Sequence, residues 1–134
     1  MRFIKYLLVF MVVMASGYVW SADKDANVYT QDKVTIMVAA HQPEFTIKLK
    51  SNPTTGYSWF LKEYPKKLIE PVKHVYEAPQ NKKLMGAPGY EFWTFKMKSE
   101  SFVVPHHVMI QFVYARPWEK HVSTKPLIFT IITK

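Results

Sequence analysis

The chain has 134 residues, 18 Lys and Arg against 10 Asp and Glu, a formal net charge of +8, and no cysteine. That length suits one domain with one modest core. Without cysteine there are no disulfides, thiol catalysis or thiolate metal sites, so the fold must hold by packing alone, and the basic balance favours acidic partners or an anionic surface.

The first element lies outside that domain. MRFIK carries Arg2 and Lys5, Tyr6 to Val19 is almost unbroken apolar sequence, and SADKDAN follows. A basic start, a short apolar middle and small residues at the end read as a secretory signal peptide. The apolar run of 14 residues is shorter than the ~18 of a membrane-spanning helix, which argues against an uncleaved anchor. Val19 and Ser21 suit a cut after Ser21, whereas a cut after Ala22 would place bulky Trp20 where a small side chain is preferred. The expected organisation is a signal peptide at 1–21 and one domain at 22–134. The mature chain is expected to be secreted or periplasmic, monomeric, and without stable membrane insertion once the signal is removed. Loss of Arg2 and Lys5 leaves 16 basic and 10 acidic residues, net +6. Export argues against nucleic acid as a partner.

The mature sequence is dominated by period-2 alternation, the signature of half-buried strands. Candidate strands follow at 33–39, 44–50, 57–62, 68–77, 90–98, 107–114 and 126–133. In EFTIKLK, Phe45, Ile47 and Leu49 oppose Thr46, Lys48 and Lys50. In EFWTFKMK, Trp93, Phe95 and Met97 oppose Thr94, Lys96 and Lys98. In PLIFTIITK, Leu127, Phe129 and Ile131 oppose Ile128, Thr130 and Ile132. Pro71 makes 68–77 an edge or interrupted strand. No stretch of ten residues shows helical spacing. Short strands separated by Pro, Gly and polar turns predict an all-β, antiparallel β-sandwich of seven or eight strands.

If every connection reverses direction, alternate connections share one end of the sandwich. The connections 51–56, 78–89 and 115–125 then meet at one end, and the plainer 40–43, 63–67 and 99–106 at the other. Function concentrates on loops held by a rigid scaffold. In Asn52-Pro53-Thr54-Thr55-Gly56-Tyr57, Pro53 fixes its own φ and pushes Asn52 out of the helical region. Gly56 can take the positive φ that β-branched Thr55 resists. Taken alone, this stretch reads as a connecting turn with two hydroxyls at its tip. In Leu84-Met85-Gly86-Ala87-Pro88-Gly89, the glycines leave backbone bare for another chain to approach. In Arg116-Pro117-Trp118, an Arg–Trp pair on a stiff tip suits an interface anchor, the alternative being a tryptophan folded back on the core.

These three loops, in this order and spacing, closely resemble those of the chagasin family, secreted inhibitors of papain-like cysteine proteases. The family's marks are an NPTTG turn followed by an aromatic, a glycine-rich GxGG loop, and an RPW loop. The resemblance covers essentially the whole mature chain. It implies an immunoglobulin-like β-sandwich and a reversible, non-covalent, competitive wedge, with no catalysis and no cofactor. Thr54 and Thr55 would sit beside the protease's catalytic cysteine, the 84–90 loop along the substrate groove, and Trp118 on aromatic surface at the primed side. Arg116 would support Trp118 or reach polar groups there. One position departs from the pattern: Pro88 stands where the family has glycine, and proline has no N–H to donate.

Two rival classes fit the sequence less well. Catalysis finds no support: mature Asp is confined to Asp23, Asp25 and Asp32, and His41, His74, His106, His107 and His121 show no metal-ligand spacing. A carbohydrate or envelope-binding module would display flat aromatics on an open face, whereas alternation turns Trp59 and Trp93 inward.

Overall fold

A computed structural model describes residues 27–80, 86–121 and 124–134; the signal-peptide reading and Leu84 and Met85 fall outside these residues. Among the described residues eight strands run in chain order: β1 Val28–Thr30, β2 Thr35–Val38, β3 Glu44–Ser51, β4 Ser58–Glu63, β5 Ile69–Glu77, β6 Gly89–Met97, β7 His107–Ala115 and β8 Leu127–Thr133. They form two four-stranded sheets, ordered β1-β3-β6-β5 and β2-β8-β7-β4.

All seven expected strands are present, most within a residue or two of the expected bounds. β1 is the addition, three residues long and too short to show alternation. The ladders β3–β6, β5–β6, β4–β7 and β7–β8 are antiparallel. The expected purely antiparallel pattern needs correction at two edges, where β1 runs parallel to β3 and β2 parallel to β8. Both strands enter from the N-terminal part of the chain, which crosses from one sheet edge to the other rather than closing a hairpin. β5 is an edge strand whose register slips between Pro71 and Lys73, because proline offers no N–H to the ladder.

The alternating residues meet between the sheets. Phe45, Ile47, Leu49, Phe95 and Met97 from one sheet and Ile36, Ile110, Phe112, Phe129 and Ile131 from the other are almost fully buried. Phe112 is the hub: it makes edge contacts with Phe95 at 6.1 Å and Phe129 at 6.0 Å, and Phe95 stacks on Phe45 at 5.6 Å. Burial of each such side chain contributes about 1.5–3 kcal/mol, and truncating Phe112 to Ala would cost roughly 3–5 kcal/mol. Trp59 is core at 8% exposure. Trp93 is only half-buried, and its outer side is covered by His74, stacked at 3.8 Å.

The register fixes which loops are neighbours. Ser51 pairs with Gly89, and Ser58 pairs with Ala115. The connection after β3, the one before β6 and the one after β7 therefore leave the sandwich at the same end.

Candidate functional site

At that end the chain after Ser51 makes a single 3-10 turn over Pro53–Thr55. The Thr55 N–H donates to Asn52 O at 3.2 Å and the Gly56 N–H to Pro53 O at 3.0 Å. Gly56 closes the turn at φ 82°, in the left-handed region. A Cβ there would lie 2.7 Å from the Trp118 ring, so glycine is required twice, by conformation and by contact. The Thr54 hydroxyl donates to Asn52 Oδ1 at 2.5 Å and the Thr55 hydroxyl to Asn52 O at 2.7 Å. Both threonine protons are thus used inside the turn. What these two side chains offer a partner is their methyl groups and the hydroxyl lone pairs.

The turn is held from below and from the side. Its first N–H, on Asn52, donates to the Tyr114 hydroxyl at 3.0 Å. The Tyr114 ring lies between Tyr57 at 5.3 Å and Trp59 at 4.9 Å. Arg116 extends this stack, with its guanidinium 4.5 Å from the centre of the Tyr57 ring. Arg116 Nε donates to Thr55 O at 3.2 Å, and its Nη1 lies 3.6 Å from Glu119 Oε1. Of the two roles the resemblance implied for Arg116, support is the visible one, and it goes to the threonine turn itself.

Trp118 does not fold into the core. It is 69% exposed, and the far edge of its indole rests on Gly56. The turn and the Arg116–Trp118 loop thus form one unit, joined by a hydrogen bond, a cation–π stack and a ring contact.

The glycine loop needs one correction. Gly86 is exposed at φ 80° with open space around it. Gly89 is not bare backbone: it is buried as the first residue of β6. A Cβ on Gly89 would collide with the Tyr76 hydroxyl and lie 2.5 Å from Glu77 O, so glycine there lets β5 and β6 close. Ala87 is half-buried and Pro88 exposed. Accessible backbone N–H groups in the described part of this loop therefore come from Gly86 and Ala87.

Sequence reading passed over Glu91, which lies beneath these loops at 3% exposure. Its carboxylate accepts the Trp59 N–H at 3.1 Å and faces His74 Nε2 at 2.7 Å. The Trp59 indole N–H in turn donates to Lys50 O at 2.8 Å. The signal was available: Glu91 falls on the same parity as Trp93, Phe95 and Met97, a charge at an inward position. Tyr114 was legible in the same way, on the parity of Ile110 and Phe112. Of the remaining histidines, His106 serves the opposite end, where its ring and backbone are tied to Ser101 and Thr133. Among the described residues no three His, Asp or Glu converge as metal ligands.

Comparison with known proteins agrees with this architecture. The family model described as chagasin family peptidase inhibitor I42 matches residues 38–132. Chagasin from Trypanosoma cruzi is 37% identical over 76 residues, which are 54% of this chain. The matched region spans 64% of the length of that relative. The cysteine protease inhibitor EhICP2 from Entamoeba histolytica superposes with a TM-score of 0.62 at 22% identity, covering 81% of this chain and 94% of that one. The solution structure of Amebosin superposes with a TM-score of 0.59 at 24% identity, covering 80% and 96%. At such identities the two structures establish a shared fold, and the family match runs from the last residue of β2 through most of β8. With a two-sheet sandwich, three ordered loop motifs at one end and a family model spanning nearly the whole described domain, the chain belongs to the chagasin family of peptidase inhibitors.

Proposed function

We propose that the protein inhibits papain-like cysteine proteases reversibly and competitively, with its three-loop end as a wedge in the active-site cleft. The observation that carries the proposal is the convergence of the loops: Ser51 beside Gly89, Ser58 beside Ala115, and Trp118 on Gly56. The family description as peptidase inhibitors and the name of EhICP2, a cysteine protease inhibitor, support the target class.

In this reading the Pro53–Thr55 turn enters the cleft. It is a compact 3-10 turn, so its peptide bonds do not present the extended backbone along which a substrate pairs with a protease groove. Six hydrogen bonds involving Asn52, Pro53, Tyr114 and Arg116 hold it, so little conformational freedom is left to lose on binding. Thr54 and Thr55 face the catalytic cysteine with methyls and oxygen lone pairs, and nothing in the turn forms a covalent bond. Trp118 supplies the aromatic anchor on one side. On the other side Gly86 and Ala87, with Leu84 and Met85 preceding them, lie along the groove, and Pro88 contributes shape without a donor. A wedge of this kind would cover ~800 Å² of each partner.

Residues 1–21 would direct export, which N-terminal sequencing of the secreted protein tests. The inhibitory function is tested with inhibition constants against a panel of papain-like enzymes, with serine proteases as controls. Competitive inhibition restricted to the papain-like enzymes is expected. Absence of inhibition across that panel would overturn the proposal.

A further inference from the structure

Glu91 is the only charged side chain among the buried described residues, and it links the two sheets near their loop end. It stands two residues after Gly89, at the foot of the glycine loop. It accepts the backbone N–H of Trp59 from the opposite sheet, two residues after Tyr57. Trp59 then reaches both sides of the threonine turn: its indole N–H donates to Lys50 O, on the strand entering the turn, and its ring leans on Tyr114. Tyr114 accepts the Asn52 N–H and stacks on Tyr57, which carries the Arg116 guanidinium. From one carboxylate the path thus runs through direct contacts to the threonine turn and the Arg116–Trp118 loop.

A carboxylate in a sandwich core is costly unless its oxygens are engaged. Here each oxygen has one partner, Oε2 with Trp59 N and Oε1 with His74 Nε2. His74 is held in turn by its stack on Trp93. The aliphatic core already joins the sheets below this level. What the carboxylate adds is a fixed direction for the Trp59 backbone, and therefore for the stem of the turn.

We propose that Glu91, held by His74, is a positioning residue for the inhibitory surface, aligning the threonine turn and the Trp118 loop through Trp59 and Tyr114 without touching the protease. The proposal rests on the three-loop wedge described above.

The test compares purified wild-type protein with Glu91→Gln, Glu91→Leu and His74→Ala. Dissociation rates from papain are measured at a temperature where each variant is more than nine-tenths folded by circular dichroism. Amide exchange at Asn52 is measured on the free proteins. Glutamine can still accept the Trp59 N–H, so Glu91→Gln should stay within about threefold of wild type. Glu91→Leu orphans that N–H and should dissociate roughly tenfold or more faster, a factor equal to ~1.4 kcal/mol. Asn52 should exchange faster in the leucine variant, and His74→Ala should fall between the two. If Glu91→Leu lowers the melting temperature while folded molecules dissociate as slowly as wild type and Asn52 stays protected, Glu91 only joins the sheets and the proposal is wrong. Failure of the wild-type protein to inhibit papain would instead overturn the wedge.

Discussion

Gly56→Ala tests the union of the threonine turn and the Trp118 loop, because it perturbs both through one methyl group. An alanine at φ 82° sits in the left-handed region, at a cost of about 1–2 kcal/mol. For a domain of this size that lowers Tm by roughly 3–6 °C per kcal/mol. The new Cβ would also lie 2.7 Å from the Trp118 ring, so the indole must move. A tryptophan side chain presents up to ~250 Å². With 69% of it exposed in the free protein, roughly 170 Å² is available to a partner, worth at most ~4 kcal/mol at 25 cal/mol per Å². A displaced ring that forfeits half of this weakens inhibition by about 2 kcal/mol, or roughly 30-fold. The assay is a double-mutant cycle of inhibition constants with Gly56→Ala, Trp118→Ala and the pair. With Trp118 already absent, Gly56→Ala keeps its backbone strain but has no ring to displace, so its effect on inhibition should shrink to about threefold. A 30-fold loss that persists without Trp118 would refute the steric coupling, as would no loss when Trp118 is present.

Replacing Thr54 and Thr55 with tyrosines should raise the inhibition constant by roughly 100-fold, or ~3 kcal/mol, while moving the thermal midpoint less than Gly56→Ala does; both residues are exposed. Retained inhibition would show that the turn tip does not enter the cleft. Pro88→Gly restores an N–H and frees φ at an exposed position, so it should preserve or tighten inhibition; a large loss would mean that the proline ring makes a contact of its own. Gly89→Ala should cost about 1–3 kcal/mol of stability by overpacking against Tyr76 and Glu77, read as a lowered midpoint in a thermal melt. An unchanged midpoint would contradict the close approach of β5 and β6 at that point.

The sheets were legible in the sequence because each long strand keeps one buried face. Phe45, Ile47 and Leu49 give the register of β3, and Phe129 and Ile131 that of β8. Alternation also placed the loops, since reversal of direction at each connection puts 51–56, 78–89 and 115–125 together without knowledge of the pairing. β1 and the two parallel edges were not legible: three residues, Val28 to Thr30, hold no period, and strand direction at an edge is set by how the chain crosses between sheets. At the candidate site, the positive φ of Gly56 could be read from the Pro-Thr-Thr-Gly order. The reason for Gly89 could not, because the side chain that excludes a methyl there, Tyr76, lies 13 residues away and meets it only through the ladder. Arg116 shows the same limit. Its residue type suggests an outward contact, but its acceptor, Thr55 O, comes from a loop 61 residues earlier.

On the proposed function, three loops act as one plug in the cleft of a papain-like protease. Hydrogen–deuterium exchange of the protein, alone and bound to papain whose catalytic cysteine has been blocked by a small alkyl group, tests it most directly. Protection on binding should be confined to 52–57, 84–90 and 116–119, and the outer faces of both sheets should be unchanged. Protection at the opposite end, around 99–106, or on one of the three loops without the others, would contradict the plug.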